Sequence, residues 1–261
     1  MPFKLIVTKD GSHTIEGAGG ITYHSTFGAL RESRHIFIEA GLRAVPGFGA
    51  TGSEPGLRAP GDEALAVALA VAPAVASPLR VFEMGLGTGL NALLTMLVAA
   101  DTGRPIVYEA AETTPLPLSM IRELNYCRLL GRPEWEPLFE RLHTAPWETP
   151  ITLHPNFSLF KTRSDGAAYT LREPAGLVYY DAFDPVTQPE LWTPAMFEKL
   201  YRQLAPGALL VTYCCKGSVQ RALRSAGFVI EKLPGPPGKR EILRAKKAAP
   251  GDGGAGLPAD R

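Results

Sequence analysis

Leu79-Arg80-Val81-Phe82-Glu83-Met84-Gly85-Leu86-Gly87-Thr88-Gly89-Leu90-Asn91 is the stretch whose reading decides the fold. An apolar run ends in an acid, three alternating glycines follow, and a second apolar run opens at Leu90 and continues to Ala100. This predicts a buried strand, a tight loop and the start of a helix. Glycine lets the backbone turn sharply and approach a ligand with no Cβ in the way. The free N–H groups at the start of the helix favour an anionic group. The other reading is a glycine-rich turn in an α/β protein of different chemistry.

Working outward, strands and helices alternate. Strands are predicted at Ile106-Val107-Tyr108, Phe157 to Lys161, Leu177 to Tyr180 and Ala208 to Tyr213. Helices are predicted over Leu116 to Leu130, from Thr193-Pro194 to Leu204, and over Ser218 to Ala226. Phe228 to Leu233 and Glu241 to Arg244 read as a closing pair of strands with no helix between them. Alternation of this kind implies a parallel, doubly wound α/β sheet. The closing pair implies one antiparallel edge strand, seven strands in all. Before the glycine loop, Phe3 to Glu16 reads as a hairpin turning at Asp10-Gly11, and Phe27 to Ala40 as a helix. Val45 to Pro60 reads as a Gly/Pro-rich linker, and a further helix is expected from Asp62 to about Val75.

The bulk numbers exclude several classes. The chain has 261 residues, 45% hydrophobic and 20% charged, which is a globular composition. A net charge of +1 gives no global field for nucleic acid, so any such footprint is local. Cys127, Cys214 and Cys215 lack C-x-x-C spacing, which points to a reduced, cytoplasmic protein. No apolar stretch is long enough to span a bilayer, and no signal peptide is apparent. His13, His35, His143 and His154 show no metal-ligand spacing.

In an open α/β sheet, ligands sit at the carboxyl ends of the strands, where strand order reverses. Four acids fall at such ends: Glu83, Glu112, Asp165 and Asp181. A carboxylate there can accept from two ribose hydroxyls at once, and Glu109 competes with Glu112 for that role. An acid after the third strand, Asp165, suits an adenine amino group. The alternative is that such acids cap the next helix. Around Asp181, the run Tyr180-Asp-Ala-Phe183-Asp184-Pro185 through Trp192 makes a rigid loop. Phe183 and Trp192 offer rings for a planar substrate; for Trp192 the alternative is a core contact.

The dinucleotide fingerprint G-x-G-x-x-G is not met, because Leu90 takes its third glycine position. The E-x-G-x-G-x-G pattern instead resembles the first motif of S-adenosylmethionine-dependent methyltransferases. Asp10-Gly-Ser-His13, His24-Ser25…Gly28-Ala29…Glu32-Ser33, Asp181-Ala-Phe183…Pro185…Pro189…Trp192 and Gly235…Gly238-Lys239-Arg240-Glu241 narrow the match. Together with Glu83 to Asn91, these stretches resemble the tRNA wobble-uridine methyltransferases of the MnmC and stand-alone MnmD-like kind.

That resemblance implies a Rossmann-like class I methyltransferase fold and S-adenosylmethionine as cofactor. It implies methylation of the exocyclic amine of 5-aminomethyl-(2-thio)uridine in a tRNA anticodon loop, with an upstream tRNA-modifying enzyme supplying the aminomethyl group. It places Glu83, Gly85, Gly87, Gly89, Asn91, Glu112, Asp165 and Asp181 on the cofactor, with Asp181 also at the catalytic centre. Phe183, Trp192, Lys239 and Arg240 fall to the substrate side. Arg163-Ser164-Asp165-Gly166 lacks the expected Gly-Asp pair, which weakens Asp165, and no FAD-binding oxidase domain follows. The implied division is an N-terminal extension (1–60), a methyltransferase domain (61–245) and a disordered tail (246–261). For RNA, the local basic stretch is Lys216, Arg221, Arg224, Lys232, Lys239, Arg240, Arg244, Lys246 and Lys247, against Glu231 and Glu241. His24, Glu32 and Arg34 match the family pattern without an assigned chemistry. Competing readings are a polyamine-synthase-like aminopropyltransferase, through Asp181-x-x-Asp184-Pro185, and a non-catalytic binding module of the same fold.

Overall fold

A computed structural model describes residues 3–48 and 77–249 of the chain. The expected helix over 62–75, most of the linker and all but the first residues of the tail lie outside that range.

β1 (Lys4–Val7) and β2 (His13–Glu16) form an antiparallel hairpin. Its Asp10-Gly-Ser turn does more than reverse the chain. Asp10 Oδ2 accepts from the Arg31 N–H at 3.0 Å, and Ser12 Oγ accepts from the Ala29 N–H at 3.0 Å. These oxygens satisfy donors that the next helix leaves open at its start. That helix, α1 (Ala29–Ser33), widens into a π-type turn over Arg34–Glu39.

β3 (Leu79–Met84) leads through the glycine loop into α2 (Leu90–Thr102), and β4 (Ile106–Ala111) follows. α2 is buried on nearly every face, which explains its continuous apolar run; Gly103 at φ +68° ends it. Three short helices come next: α3 (Leu118–Ile121), α4 (Tyr126–Leu129) and α5 (Glu136–Thr144). The single helix expected over 116–130 is therefore two. Asn125 sits at the break, accepting from the His13 N–H at 2.9 Å and donating to the Gly11 carbonyl at 2.9 Å. Docking the N-terminal hairpin competes with helix continuity there.

β5 (Ile151–His154), β6 (Phe157–Thr162), β7 (Ala175–Tyr180), α6 (Pro194–Arg202), β8 (Leu204–Thr212), α7 (Gly217–Ser225), β9 (Val229–Pro234) and β10 (Glu241–Lys246) complete the chain. The sheet order is β5-β6-β4-β3-β7-β8-β10-β9. The five strands from β6 to β8 in this order are parallel to one another, and β10 runs antiparallel to both β8 and β9. The mostly parallel α/β sheet matches the expected class I fold. It has eight strands among the described residues. The extra one, β5, folds back antiparallel on β6 through Pro155-Asn156, residues that suit a tight turn. The antiparallel strand of the closing pair lies one place in from the edge, because β9 caps it.

Alternate residues of the central strands face opposite cores. Val81, Leu177 and Tyr179 pack with α2, α5 and the N-terminal residues Ile15, Ile36 and Phe37. Phe82, Val178 and Tyr180 pack with α6 and α7 through Phe197, Leu200 and Leu223. Both faces being covered is why these strands read as continuous apolar runs. Each fully buried Leu or Phe contributes roughly 1.5–3 kcal/mol.

Candidate active site

The chain leaves β3 toward β4 and β6 on one side, then returns to β7 and β8 on the other, so strand order reverses between β3 and β7. A crevice is expected at that point, outside the carboxyl ends. A cleft of about 670 Å³, open to solvent, lies there. Its wall includes Gly85, Gly87, Glu112, Asp165 and Phe183, all expected from sequence, with Tyr23, Met84, Thr113, Thr114, Gly166 and Gln188.

The loop geometry follows from its glycines. Gly87 stands at φ +50°, and a Cβ on it would come within 3.0 Å of the Tyr23 ring. The Gly87 N–H donates to Glu112 Oε2 at 2.9 Å, and the Thr114 N–H donates to Glu112 Oε1 at 2.8 Å. Each oxygen of Glu112 thus keeps lone-pair capacity for a further donor. Asp165 is exposed at the opposite side, where its Oδ1 accepts from the Ala167 N–H at 2.9 Å. It therefore lines the cleft and caps a turn at once, so the two readings of this acid are compatible.

Next to the lining residues Met84 and Ala182, and not themselves part of the cleft wall, two acids at adjacent strand ends are joined by Asn91. Its Nδ2 donates to Glu83 Oε1 at 2.9 Å and to Asp181 Oδ2 at 2.8 Å. Burial pushes the Glu83 carboxyl well above the usual range; the Asn91 hydrogen bond opposes this, and nearby Asp181 adds to it. Asp181 lies deep in the fold while keeping an edge open to solvent. It too is pushed well up, by burial first and by Glu32, against the Asn91 hydrogen bond and Lys239. Asn91 Oδ1 is a buried acceptor with no partner, and Glu83 Oε2 has only the Tyr108 hydroxyl near it, outside hydrogen-bond geometry. Unpaired buried acceptors are costly, so this cluster is suited to a ligand that brings hydrogen-bond donors or positive charge.

Several expected site residues take other places. Gly89, at φ +73°, backs onto His143, whose Nε2 lies 2.6 Å from where a Cβ would stand; it shapes the loop and stays out of the cleft wall. Trp192 is 5% exposed and packs edge-on against Tyr180, 5.0 Å between ring centroids. It offers no open ring to a substrate, and the core reading holds. Its Nε1 instead donates to the Phe183 carbonyl at 2.7 Å, while Gln188 Oε1 accepts from the Phe183 N–H at 2.9 Å. Phe183 is thereby pinned, edge-on to Tyr23 at 5.2 Å. Glu109 lies within β4, beside Tyr169 and the Arg172 N–H, so Glu112 alone of the two reaches the cleft.

The basic stretch is largely committed within the fold. Lys239 pairs with Glu32 at 3.4 Å, Lys216 with Asp184 at 3.6 Å, Lys232 with Glu241 at 3.1 Å and Arg244 with Glu231 at 2.7 Å. Lys247 donates to the carbonyls of Tyr201 and Leu204, so the chain stays packed past Lys246. Arg240 is exposed and forms none of the ion pairs among the described residues. Asp184 spends its carboxylate on the Val186 N–H at 2.7 Å and on Lys216.

Sequence reasoning did not find Tyr23, Gln188 or the task of His24. His24 Nε2 lies 2.7 Å from Thr88 Oγ1 inside the glycine loop. Nothing local to Tyr23 or His24 signals these contacts, because their partners come from a distant part of the chain.

A family described as S-adenosyl-L-methionine-dependent methyltransferase matches residues 165–248. The chain is 30% identical over 244 residues to the tRNA 5-methylaminomethyl-2-thiouridine biosynthesis bifunctional protein MnmC of Pseudomonas paraeruginosa, covering 86% of this chain and 32% of that protein. It is 31% identical to the MnmC protein of Aromatoleum aromaticum, covering 97% of this chain and 37% of that one. The chain thus spans about a third of the length of these curated relatives. Among solved structures, MnmC2 from Aquifex aeolicus superposes with a TM-score of 0.68 at 21% identity, over 95% of this chain and 72% of that chain.

Proposed function

Because this chain belongs to the S-adenosylmethionine-dependent methyltransferase family that the MnmC proteins represent, we propose that it methylates the exocyclic amine of 5-aminomethyl-(2-thio)uridine at the tRNA wobble position. The product would be 5-methylaminomethyl-(2-thio)uridine. The observation that carries this reading is the Asn91 bridge between Glu83 and Asp181 at the reversal of strand order.

The residues present fit the cofactor. The spare acceptor capacity of Asn91 Oδ1 and Glu83 suits the donors of an amino-acid ammonium, and that of Glu112 suits ribose hydroxyls. The positive φ of Gly87 leaves no side chain between loop and ligand. A cluster of carboxylates is right for a cation and wrong for a phosphate-bearing cofactor. When bound, S-adenosylmethionine supplies a methyl group activated by a sulfonium.

The chain's own contribution is positioning and proton management. Holding two reactants in line is worth several powers of ten in rate. The acceptor amine is protonated in water and must lose a proton to become a nucleophile. Asp181 orients it and takes that proton, and the raised affinity of its buried carboxylate for protons brings it nearer the amine in basicity. Tyr23 and Phe183, edge-on at the cleft mouth, close one side against water. The target base in an anticodon loop is already unpaired, so presenting it costs little. Arg240 is the exposed cation best placed for a phosphate. An upstream enzyme would supply the aminomethyl nucleoside. Among the described residues, no helix is long and apolar enough to cross a membrane.

The test is nucleoside mass spectrometry after incubating the purified chain with S-adenosylmethionine and tRNA carrying 5-aminomethyl-2-thiouridine. A gain of one methyl on that nucleoside is expected. No gain, with cofactor binding measured in the same preparation, would overturn the substrate assignment.

A further inference from the structure

The β9–β10 turn and the N-terminal segment meet beside the loop that follows Asp181. The turn between β9 and β10 docks on the N-terminal segment through three contacts. His35 Nε2 lies 2.7 Å from the Pro234 carbonyl oxygen. Gly238, at φ +91°, packs so closely on Phe27 that a Cβ would stand 2.6 Å from its ring. Lys239 Nζ lies 3.4 Å from Glu32 Oε1. Glu32 is itself buried, with its second oxygen accepting from the Ser25 N–H at 2.8 Å. The Lys239 ammonium also sits 4.7 Å over the Tyr213 ring, and the Tyr213 hydroxyl donates at 2.9 Å to the carbonyl of Ala182, the residue after Asp181. A cation and a carboxylate from opposite ends of the chain are thus held against the catalytic loop.

We propose that Lys239 and Glu32 are positioning residues that set the charge on Asp181, with Lys239 favouring the carboxylate and Glu32 opposing it. The inference rests on the reading of Asp181 as the group that takes the amine proton. It moves Lys239 from a phosphate contact to a part of the site. The titratable groups whose charge couples to Asp181 are Glu83 from β3, Tyr108 from β4, Glu32 from α1, Tyr213 after β8 and Lys239 from the β9–β10 turn. Among them Lys239 is the one cation. Without it, three acids would stand together in a largely buried cluster, and one would hold its proton. With Lys239 alone, and no Glu32, Asp181 would stay ionised and be a weaker base. The opposed pair keeps its proton affinity between these limits.

Two readouts separate this from a structural role. The first needs no turnover: carboxyl-carbon NMR titration of Asp181 in the cofactor-free full chain. Lys239→Met should raise the midpoint by about one pH unit, a tenfold change in proton affinity, and Glu32→Gln should lower it by a similar amount. Lys239→Arg keeps the charge and should leave the midpoint in place. The second is the acid limb of the methylation pH profile, which should move in the same directions, because activity needs Asp181 ionised. Coincident Asp181 midpoints in the wild type, Lys239→Met and Glu32→Gln would overturn the inference, whatever the activities. A wild type that does not methylate aminomethyl tRNA overturns the substrate reading instead, and the titration still decides the role of the pair.

Discussion

His24 Nε2 and Thr88 Oγ1 stand 2.7 Å apart, a contact between residues 64 positions apart that ties the N-terminal segment to the glycine loop. Thr88 is 1% exposed, so losing the imidazole removes a partner from a buried hydroxyl. His24→Ala should cost about 1–3 kcal/mol of stability and weaken cofactor binding, since the loop would lose its tether. Urea denaturation and calorimetry with S-adenosylmethionine measure the two effects. A variant with unchanged midpoint and affinity would remove the clamp from the account.

The same histidine gives a pH dependence. Burial holds the His24 imidazole down at about 4, with Glu32 working the other way. His143 is held at about 3, by burial first and then by Lys161. Both have lowered folded values, so the unfolded chain binds protons first as pH falls through the ordinary histidine value of 6.5. Their contribution is fully present above that value and is lost as pH drops toward about 4. The denaturation midpoint should fall across that window, less steeply in His24→Gln. A flat profile from neutral pH down to 4 would contradict it.

Asn91 is the single donor between Glu83 and Asp181. Asn91→Ala leaves a buried Glu83 oxygen unpaired and sets two carboxylates against each other. A loss of about 1–3 kcal/mol is expected, with cofactor affinity reduced as well. Asn91→Asp keeps the shape but adds a third acid, and should be no better. Either variant binding S-adenosylmethionine as the wild type does would count against the bridge.

Gly89 and Gly103 flank α2 with almost the same backbone, φ +73° and +68°. A Cβ on Gly103 meets nothing within 4 Å, whereas one on Gly89 meets His143 at 2.6 Å. Gly103→Ala should therefore cost only the left-handed backbone term, about 1–2 kcal/mol. Gly89→Ala adds overpacking of about 1–3 kcal/mol. Equal losses in the two variants would show that the His143 contact is unimportant.

Phe183 and Trp192 should separate cleanly by readout. Phe183→Ala removes a ring from the cleft wall and should raise the apparent KM for tRNA or cofactor with little change in Tm. Trp192→Phe removes the donor to the Phe183 carbonyl from a buried position and should lower Tm. If Trp192→Phe left Tm unchanged and weakened only RNA binding, the core assignment of Trp192 would fail.

What could be read from sequence was local in the chain. The run from Leu79 to Asn91 carries its own instructions: a strand, glycines at the positive-φ positions and a buried helix, each decided by neighbouring residues. The placement of Glu83, Glu112 and Asp181 at the ends of β3, β4 and β7 was legible because a strand end is legible. β5 was missed because four residues of alternation, Ile151 to His154, are too weak a signal without the edge of β6 to pair with.

The surroundings that only the fold reveals are those whose partners lie across it. Trp192 has the same side chain whether it faces a substrate or Tyr180, and only packing chooses. Lys239 is a basic residue in a turn until Glu32 arrives from the other end of the chain, and Gly89 is a ligand-loop glycine until α5 brings His143 behind it. Local propensity and periodicity write the elements and their ends into the sequence. Which side chains neutralise, pin or bury one another depends on contacts between segments distant in sequence, and those exist only once the sheet has brought the segments together.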